Sequence, residues 1–260
     1  MPADSANRDT THAELGIVAA LKLEVGPLLD QLEHPKKYSG GDFTFRGGWF
    51  QGRRLAVVEC GTGERRAFRA TRALVEAHQP QWILSVGFSG ALHPEMKVGD
   101  IVVGNSICRA NSDERVEIDV KMPADEAHGL YVGGLVTVDH LVLEATEKQQ
   151  LHTDTGALAV DMESLGVARA CIETHTRFLV VRVISDDAKS DLPREVLSIL
   201  GGKGTIRAGA LAGSLMKRPS SVKDLWKLRE RAVHAAERVA KFLEGVLPQL
   251  PLQDRPDAAQ

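Results

Sequence analysis

The sequence predicts an α/β fold, a single domain in which a central mixed, largely parallel β-sheet is flanked by helices. Three observations carry this. Apolar runs of four to seven residues recur along the chain, helical phrases lie between them, and small or polar turn residues close several of the runs. Runs that short and that uniformly apolar belong to strands buried on both faces, which is how parallel strands connected by helices are covered.

Taken in order, LGIVAA (Leu15–Ala20) reads as a strand and LKLEVGPLLDQL, residues 21–32, as a helix. Phe43–Trp49 and Leu55–Cys60 read as strands joined by the turn FQGRR. GTGERRAFRATRALVEAH follows, with Ala67, Ala70, Ala73, Leu74 and Ala77 at helical spacing. Trp82–Val86, Asp100–Val103, Leu135–Val138, Ala157–Val160 and Phe178–Ile184 complete the strands, and MESLGVARACIETH is a helix between the last two. A long amphipathic helix opens near Ser221, after Pro219, with Leu225, Leu228, Ala232, Ala236, Val239 and Leu243 at three- and four-residue steps, and closes near Gly245. Residues 1–13 and 248–260 are polar or proline-rich and are expected to be disordered tails around a domain at 14–247.

Composition narrows the function classes. With 260 residues, 43% hydrophobic and 26% charged, the chain can bury a sizeable core. Its net charge of -3, with both signs interspersed, argues against a nucleic-acid partner. Cys60, Cys108 and Cys171 are widely spaced and lack CxxC spacing, which favours a reducing compartment and no zinc site. With no apolar leader and no window near the roughly 18 residues that span a bilayer, the expectation is a cytoplasmic protein without a membrane span.

In doubly covered sheets ligands bind beyond the carboxyl ends of the strands, so the residues there are the candidates. They are Glu24; Gly61, Thr62 and Gly63; the GFSGA turn at 87–91; Asp139 and His140; Asp161, Met162 and Glu163; and Ser185, Asp186 and Asp187. Each has a plainer reading. GTG alone is a tight turn, and GGKGT at 201–205 has Leu197 where a phosphate loop needs its first glycine. His140 lacks a second histidine at metal spacing and reads as a hydrogen-bonded rim residue. Asp161 fits the start of a helix, where the dipole favours an acid.

GIVAALKLEV (16–25), ECGTGERRA (59–67), ILSVGFSGALHPEMKVGDIVVG (83–104), GLVTVDHLV (134–142) and ALAVDMESLGVARACIETHTRFLVVRVISDDA (157–188) together resemble the nucleoside phosphorylase and nucleosidase superfamily. The nearest resemblance is to its methylthioadenosine/S-adenosylhomocysteine nucleosidase branch. The resemblance implies a nucleoside phosphorylase-like domain and a purine nucleosidase that releases adenine from an adenosine-type nucleoside with a 5′ substituent. It assigns Glu24 to activation of water, Met162 to packing on the ribose, Glu163 to the ribose hydroxyls, and Asp186, preceded by Ser185, to the purine N7. Leu141, Val142 and Phe88 fall at base-binding positions, and Gly61, Thr62, Gly63 and Arg65 form a candidate phosphate or water loop.

Breaking an N-glycosidic bond creates an oxocarbenium-like sugar and a leaving base, so two carboxyls on opposite sides suit the chemistry. Asp186 would keep its proton through burial at the end of an apolar strand. Phe88 stands where nucleosidases have serine and Ser85 where hexameric phosphorylases have arginine, and both departures weaken a phosphate site; Lys22, Arg65 and Arg66 remain as cations. A phosphate-dependent phosphorylase and a catalytically silent nucleoside binder are the alternatives. The segment at 104–133 is too short for the family's loop and helix, which opens the 5′ side, and the tail after Ala188 resembles the hopanoid-associated subgroup, whose substrate is adenosylhopane. A homo-oligomer, dimer or trimer, is expected, with no cofactor and no metal.

Overall fold

The computed structural model describes residues 12–194, 196 and 219–253. Along the chain run β1 (Leu15–Ala19), α1 (Lys22–Leu29), β2 (Glu33–Gly40), β3 (Phe43–Phe50), β4 (Arg53–Glu59), α2 (Glu64–His78), β5 (Trp82–Ala91), β6 (Ile101–Arg109), β7 (Arg115–Glu117), β8 (Leu130–Thr137), α3 (Ala145–Thr155), β9 (Ala159–Asp161), α4 (Ser164–Glu173), β10 (Arg177–Asp186) and α5 (Pro219–Val246). The last helix spans the amphipathic segment expected between Ser221 and Gly245.

The strands form one mixed sheet in the order β10-β6-β8-β9-β5-β1-β4-β3-β2, with β7 on β6. Because β10 also pairs with β5, strands β10, β6, β8, β9 and β5 close into a ring, and β1, β4, β3 and β2 extend from it. Among the described strands, five pairings are parallel and five antiparallel. The parallel set includes β1, β4, β5 and β10; β1 (LGIVA) is buried and apolar along its whole length, whereas β5 and β10 bury polar residues among their apolar ones, Ser85 and Ser89 in the first and Arg182 and Asp186 in the second. Strand β5 is the hub: its first half lies between β1 and β10, and its last residues, Gly90 and Ala91, turn to β9.

One core lies between the sheet and the pair α1 and α5, with Val25 and Leu28 of α1 and Val239 and Leu243 of α5 in the same cluster as Ile17, Val57, Leu84 and Val183. On the opposite side α2 and α4 pack with Ala67, Leu74, Val167 and Cys171 against Val18, Val58 and Ile83.

The structure corrects the sequence reading in three places. GFSGA, expected as a turn after a strand ending at Val86, continues β5 to Ala91. EHPKKYSG forms β2, an exposed edge strand; its lysines and proline protect an edge but give no buried alternation to read. Residues 101–117 form longer strands than expected, tied by ion pairs of Arg109 and Arg169 with Glu64 and Glu114. At the ends of the described residues, Ala13 is buried and the chain after Val246 returns to the sheet. Arg53 donates to the carbonyls of Leu247 and Leu250 at 2.9 Å, and Trp82 Nε1 to that of Pro251 at 3.0 Å.

Candidate active site

Glu24 enters from α1, a short helix containing Gly26 and Pro27. Its carboxylate folds back on the helix start, Oε2 accepting from the Leu21 amide at 2.8 Å, while Oε1 accepts from the Phe88 amide of β5 at 3.0 Å. The residue is 4% exposed, and burial raises its pKa against the opposing pull of those amides and of Arg182. Gly87 makes this approach sterically allowed, since a Cβ there would lie 2.9 Å from Glu24 Oε1 and 3.5 Å from an Arg182 nitrogen.

Arg182 stands in the middle of β10, 1% exposed. Nε donates to Asp161 Oδ2 at 2.7 Å, and one terminal nitrogen donates to Ser85 Oγ and Ser164 Oγ, each at 2.9 Å. Asp161 also accepts from Thr137 Oγ1 at 2.8 Å and from Ser164 through both its hydroxyl and its amide. Asp161 is therefore an internal counter-ion, and the plain helix-start reading accounts only for its bond to the Ser164 amide. Burial pulls the Arg182 pKa down, but Asp161, Glu163 and Glu24 more than reverse this.

Glu163 precedes α4 and reaches the GTG turn, where Oε1 accepts from the Gly63 amide at 2.7 Å. That turn uses positive φ at Gly61 (73°) and Gly63 (103°), so the glycines have a backbone reason to be there. Burial, then the Asp161 carboxylate, pushes the Glu163 pKa up to about 7, although Arg182 and the Gly63 amide oppose it. Thr62 lies in the same turn, partly buried. Arg65 is exposed on α2, Lys22 is exposed on α1, and Arg66 Nε is committed to the Cys60 carbonyl at 2.7 Å.

Asp186 closes β10 opposite Gly90, where a Cβ would lie 3.0 Å from Oδ2. Its surroundings differ from the apolar pocket the sequence suggested. Oδ1 accepts from Ser185 Oγ at 2.7 Å and Oδ2 from Lys148 Nζ at 2.6 Å. Met162 and Val142 pack in one cluster with Leu92, Val138 and Val160, and Leu141 is half-buried beside it in sequence. Phe88 packs on the α1 and α5 side of the sheet. Asp187 is only partly buried, and its carbonyl accepts from Lys148 at 2.7 Å. His140 is the rim residue expected, its ring nitrogens on Asp139 at 3.0 Å and Glu147 at 2.7 Å.

The structure thus brings Glu24, Glu163 and the GTG turn into one electrostatic unit around Arg182, and places Asp186 at the end of β10, beside Gly90 of β5. Sequence reasoning missed Arg182 and Lys148. Arg182 carried a signal, a charge in the midst of FLVVRVI; Lys148 carried none, lying in a polar helix. Among the described residues no group of three or more His, Cys, Asp or Glu could hold a metal ion, and no helix is long and apolar enough to cross a membrane. Most of the tail after Ala188 that resembles the hopanoid-associated subgroup, residues 195 and 197–218, lies outside the described residues.

The fold is an α/β sheet flanked by helices, with the carboxyls of Glu24, Asp161 and Asp186 buried beside β5, β9 and β10. The chain belongs to the phosphorylase superfamily, whose family model matches residues 14–127 and 121–218. It is 25% identical over 232 residues to a 5′-methylthioadenosine/S-adenosylhomocysteine nucleosidase of Pseudoalteromonas translucida, covering 80% of this chain and 98% of that one. The enzyme of that name from Colwellia psychrerythraea is 28% identical over 209 residues, 68% of this chain and 85% of that one. Among solved structures, the S-adenosylhomocysteine nucleosidase of Streptococcus pyogenes, in complex with 5-methylthiotubericidin, superposes with a TM-score of 0.69 at 22% identity, covering 93% of this chain and 98% of that one. Futalosine hydrolase of Helicobacter pylori superposes nearly as well, with a TM-score of 0.68 at 19% identity, covering 91% and 97%.

Proposed function

We propose that the chain is a purine nucleosidase that hydrolyses the N-glycosidic bond of an adenosine-type nucleoside bearing a 5′ substituent, releasing adenine. One observation carries the reading: two buried carboxyls approach the same stretch of β5, Glu24 over Gly87 and Asp186 over Gly90. Two buried acids brought against one strand, three positions apart, suit a reaction that needs a proton on the base and an activated nucleophile at the sugar. Relatives named as adenine-nucleoside nucleosidases support the same substrate class.

In this reading Glu24 takes a proton from the attacking water, a task that the burial-raised pKa suits. Glu163 accepts from the ribose hydroxyls, Met162 packs on the sugar face, and Asp186 serves N7 of the leaving base with Leu141, Val142 and Phe88 around it. Water is favoured over phosphate because the buried guanidinium of Arg182 is already engaged by Asp161, Ser85 and Ser164, Arg65 is exposed, and Arg66 is pinned to Cys60. A homo-oligomer, dimer or trimer, is part of the proposal, and light scattering of the purified chain tests it.

The deciding experiment incubates methylthioadenosine with the enzyme, with and without phosphate, and identifies the sugar product. Free 5-methylthioribose in both conditions is expected; strict dependence on phosphate, with the 1-phosphate as product, sinks the hydrolase. Asp186→Asn and Glu24→Gln are each expected to lower kcat by on the order of 10²-fold or more.

A further inference from the structure

Helix α3 (ATEKQQLHTDT) has one buried residue, Lys148, with 0% of its surface exposed. A desolvated ammonium is among the most unfavourable side-chain burials, and a well-packed apolar residue of similar volume is often at least as stabilising. Packing alone therefore gives little reason for a lysine. Its partners are specific: Nζ donates to Asp186 Oδ2 at 2.6 Å, to the Asp187 carbonyl at 2.7 Å and to the Ser190 carbonyl at 3.4 Å, so its three N–H donors are matched. The lysine holds the carboxyl and the two carbonyls of the segment that follows it.

We propose that Lys148 is the positioning residue of the leaving-group acid, fixing Asp186 by its Oδ2 and furnishing, through it, the proton that the departing base takes up. This rests on the reading of Asp186 as the group that serves N7. As the C1′–N9 bond breaks, its electron pair leaves with the base; one proton passes from the Lys148–Asp186 pair to N7, through the carboxyl. The pair is left one proton short and is refilled from water after the base departs. Ser185 Oγ, donating to Oδ1 at 2.7 Å, fixes the other oxygen, so the carboxyl is oriented from both sides.

A base already methylated at N7 needs no proton, and this separates a leaving-group role from a structural one. Full-length wild type, Lys148→Met, Asp186→Asn and the double variant are compared on methylthioadenosine and on its N7-methylated counterpart. Lys148→Met is expected to lower kcat on methylthioadenosine by about 10²-fold, the usual scale of an acid–base contribution, with KM changed by less than about 3-fold. The N7-methylated substrate is expected to turn over at nearly the wild-type rate, and the double variant to be no slower than Asp186→Asn, because residues acting as one unit are not additive.

Equal losses on both substrates, or no loss on either, overturn the role of Lys148. If Asp186→Asn itself leaves methylthioadenosine turnover unchanged, the fault lies in the assignment of Asp186, and the inference falls with it. Should Lys148→Met not fold, Lys148→Ala assayed with added ethylamine decides. Recovery of roughly 10-fold in kcat by the amine, absent in Asp186→Asn, upholds the proposal, and no recovery in folded protein overturns it.

Discussion

Glu163 shares the guanidinium of Arg182 with Asp161 and Glu24, and three acids around one buried cation leave negative charge in excess. Burial and Asp161 accordingly move the Glu163 pKa from 4.5 to about 7. A carboxyl raised in this way takes up a proton on folding between those values. Its stabilising contribution is full below about 4.5 and is lost as pH rises through about 7. Glu163→Gln removes that dependence, so urea melts should show the wild type losing roughly 3 kcal/mol against the variant across this range, at 1.36 kcal/mol per pKa unit. Parallel stability curves would count against it. On the proposed role of Glu163, activity has the opposite sign: only an ionised carboxylate could accept from both ribose hydroxyls, so kcat/KM should rise with pH through about 7 and that limb should vanish in Glu163→Gln. The identity of Glu163 as a candidate was legible from DMES at a strand end. Its charge state was not, because that depends on Asp161 and Arg182, the latter arriving from β10, 19 positions further on.

At the level of elements, β5 shows how a strand can be read correctly as a strand and wrongly in extent. GFSGA looked like a turn because glycine is rare inside strands. The glycines are there because carboxylates occupy the space their side chains would fill, at Gly87 for Glu24 and at Gly90 for Asp186. Gly87→Ala is therefore expected to displace Glu24 by a few tenths of an ångström, loosen its bond to the Phe88 amide, and lower kcat by about 10- to 100-fold, as small misplacements of catalytic groups do. Gly26→Ala is the control: nothing lies within 4 Å of the added Cβ and φ is not positive. That substitution inside α1 should raise stability by about 0.4–1 kcal/mol with kcat unchanged. Thermal melts and steady-state kinetics on the two variants check both; a Gly87→Ala enzyme with wild-type kcat would refute the steric argument. Two elements were illegible for a related reason. β2 is exposed along nearly its whole length and α3 buries only Lys148, so neither displays an apolar period, and tertiary contacts alone define them.

On the scale of the whole molecule, the alternation of apolar runs and helical phrases was enough for the fold class, because covering a sheet on both faces demands it. The closure of five strands into a ring was not, since pairing of β10 with both β5 and β6 is a long-range fact without a local signature. The same holds for what keeps Glu24 in place. Its helix α1 has 8 residues, with Gly26 and Pro27 among them, too short to persist in water on its own. It is held by packing: Val25, Leu28 and Leu29 share a core with Ala235, Val239, Ala240 and Leu243 of α5, some 200 residues later. The C-terminal helix is thus a brace for the helix that carries Glu24, the proposed general base. Leu243 is fully buried in that contact; Leu243→Ala should cost about 2–5 kcal/mol and lower Tm by roughly 5–15 °C for a chain of this size. Because α1 and α5 share that core, a loss of packing in α5 should reach Glu24. At temperatures well below Tm, where the variant is folded, kcat should still fall by about 3- to 10-fold while KM changes less, as expected for a displaced catalytic group rather than a damaged binding surface. A variant with lowered Tm and wild-type kcat would show that α5 stabilises the domain without bracing Glu24.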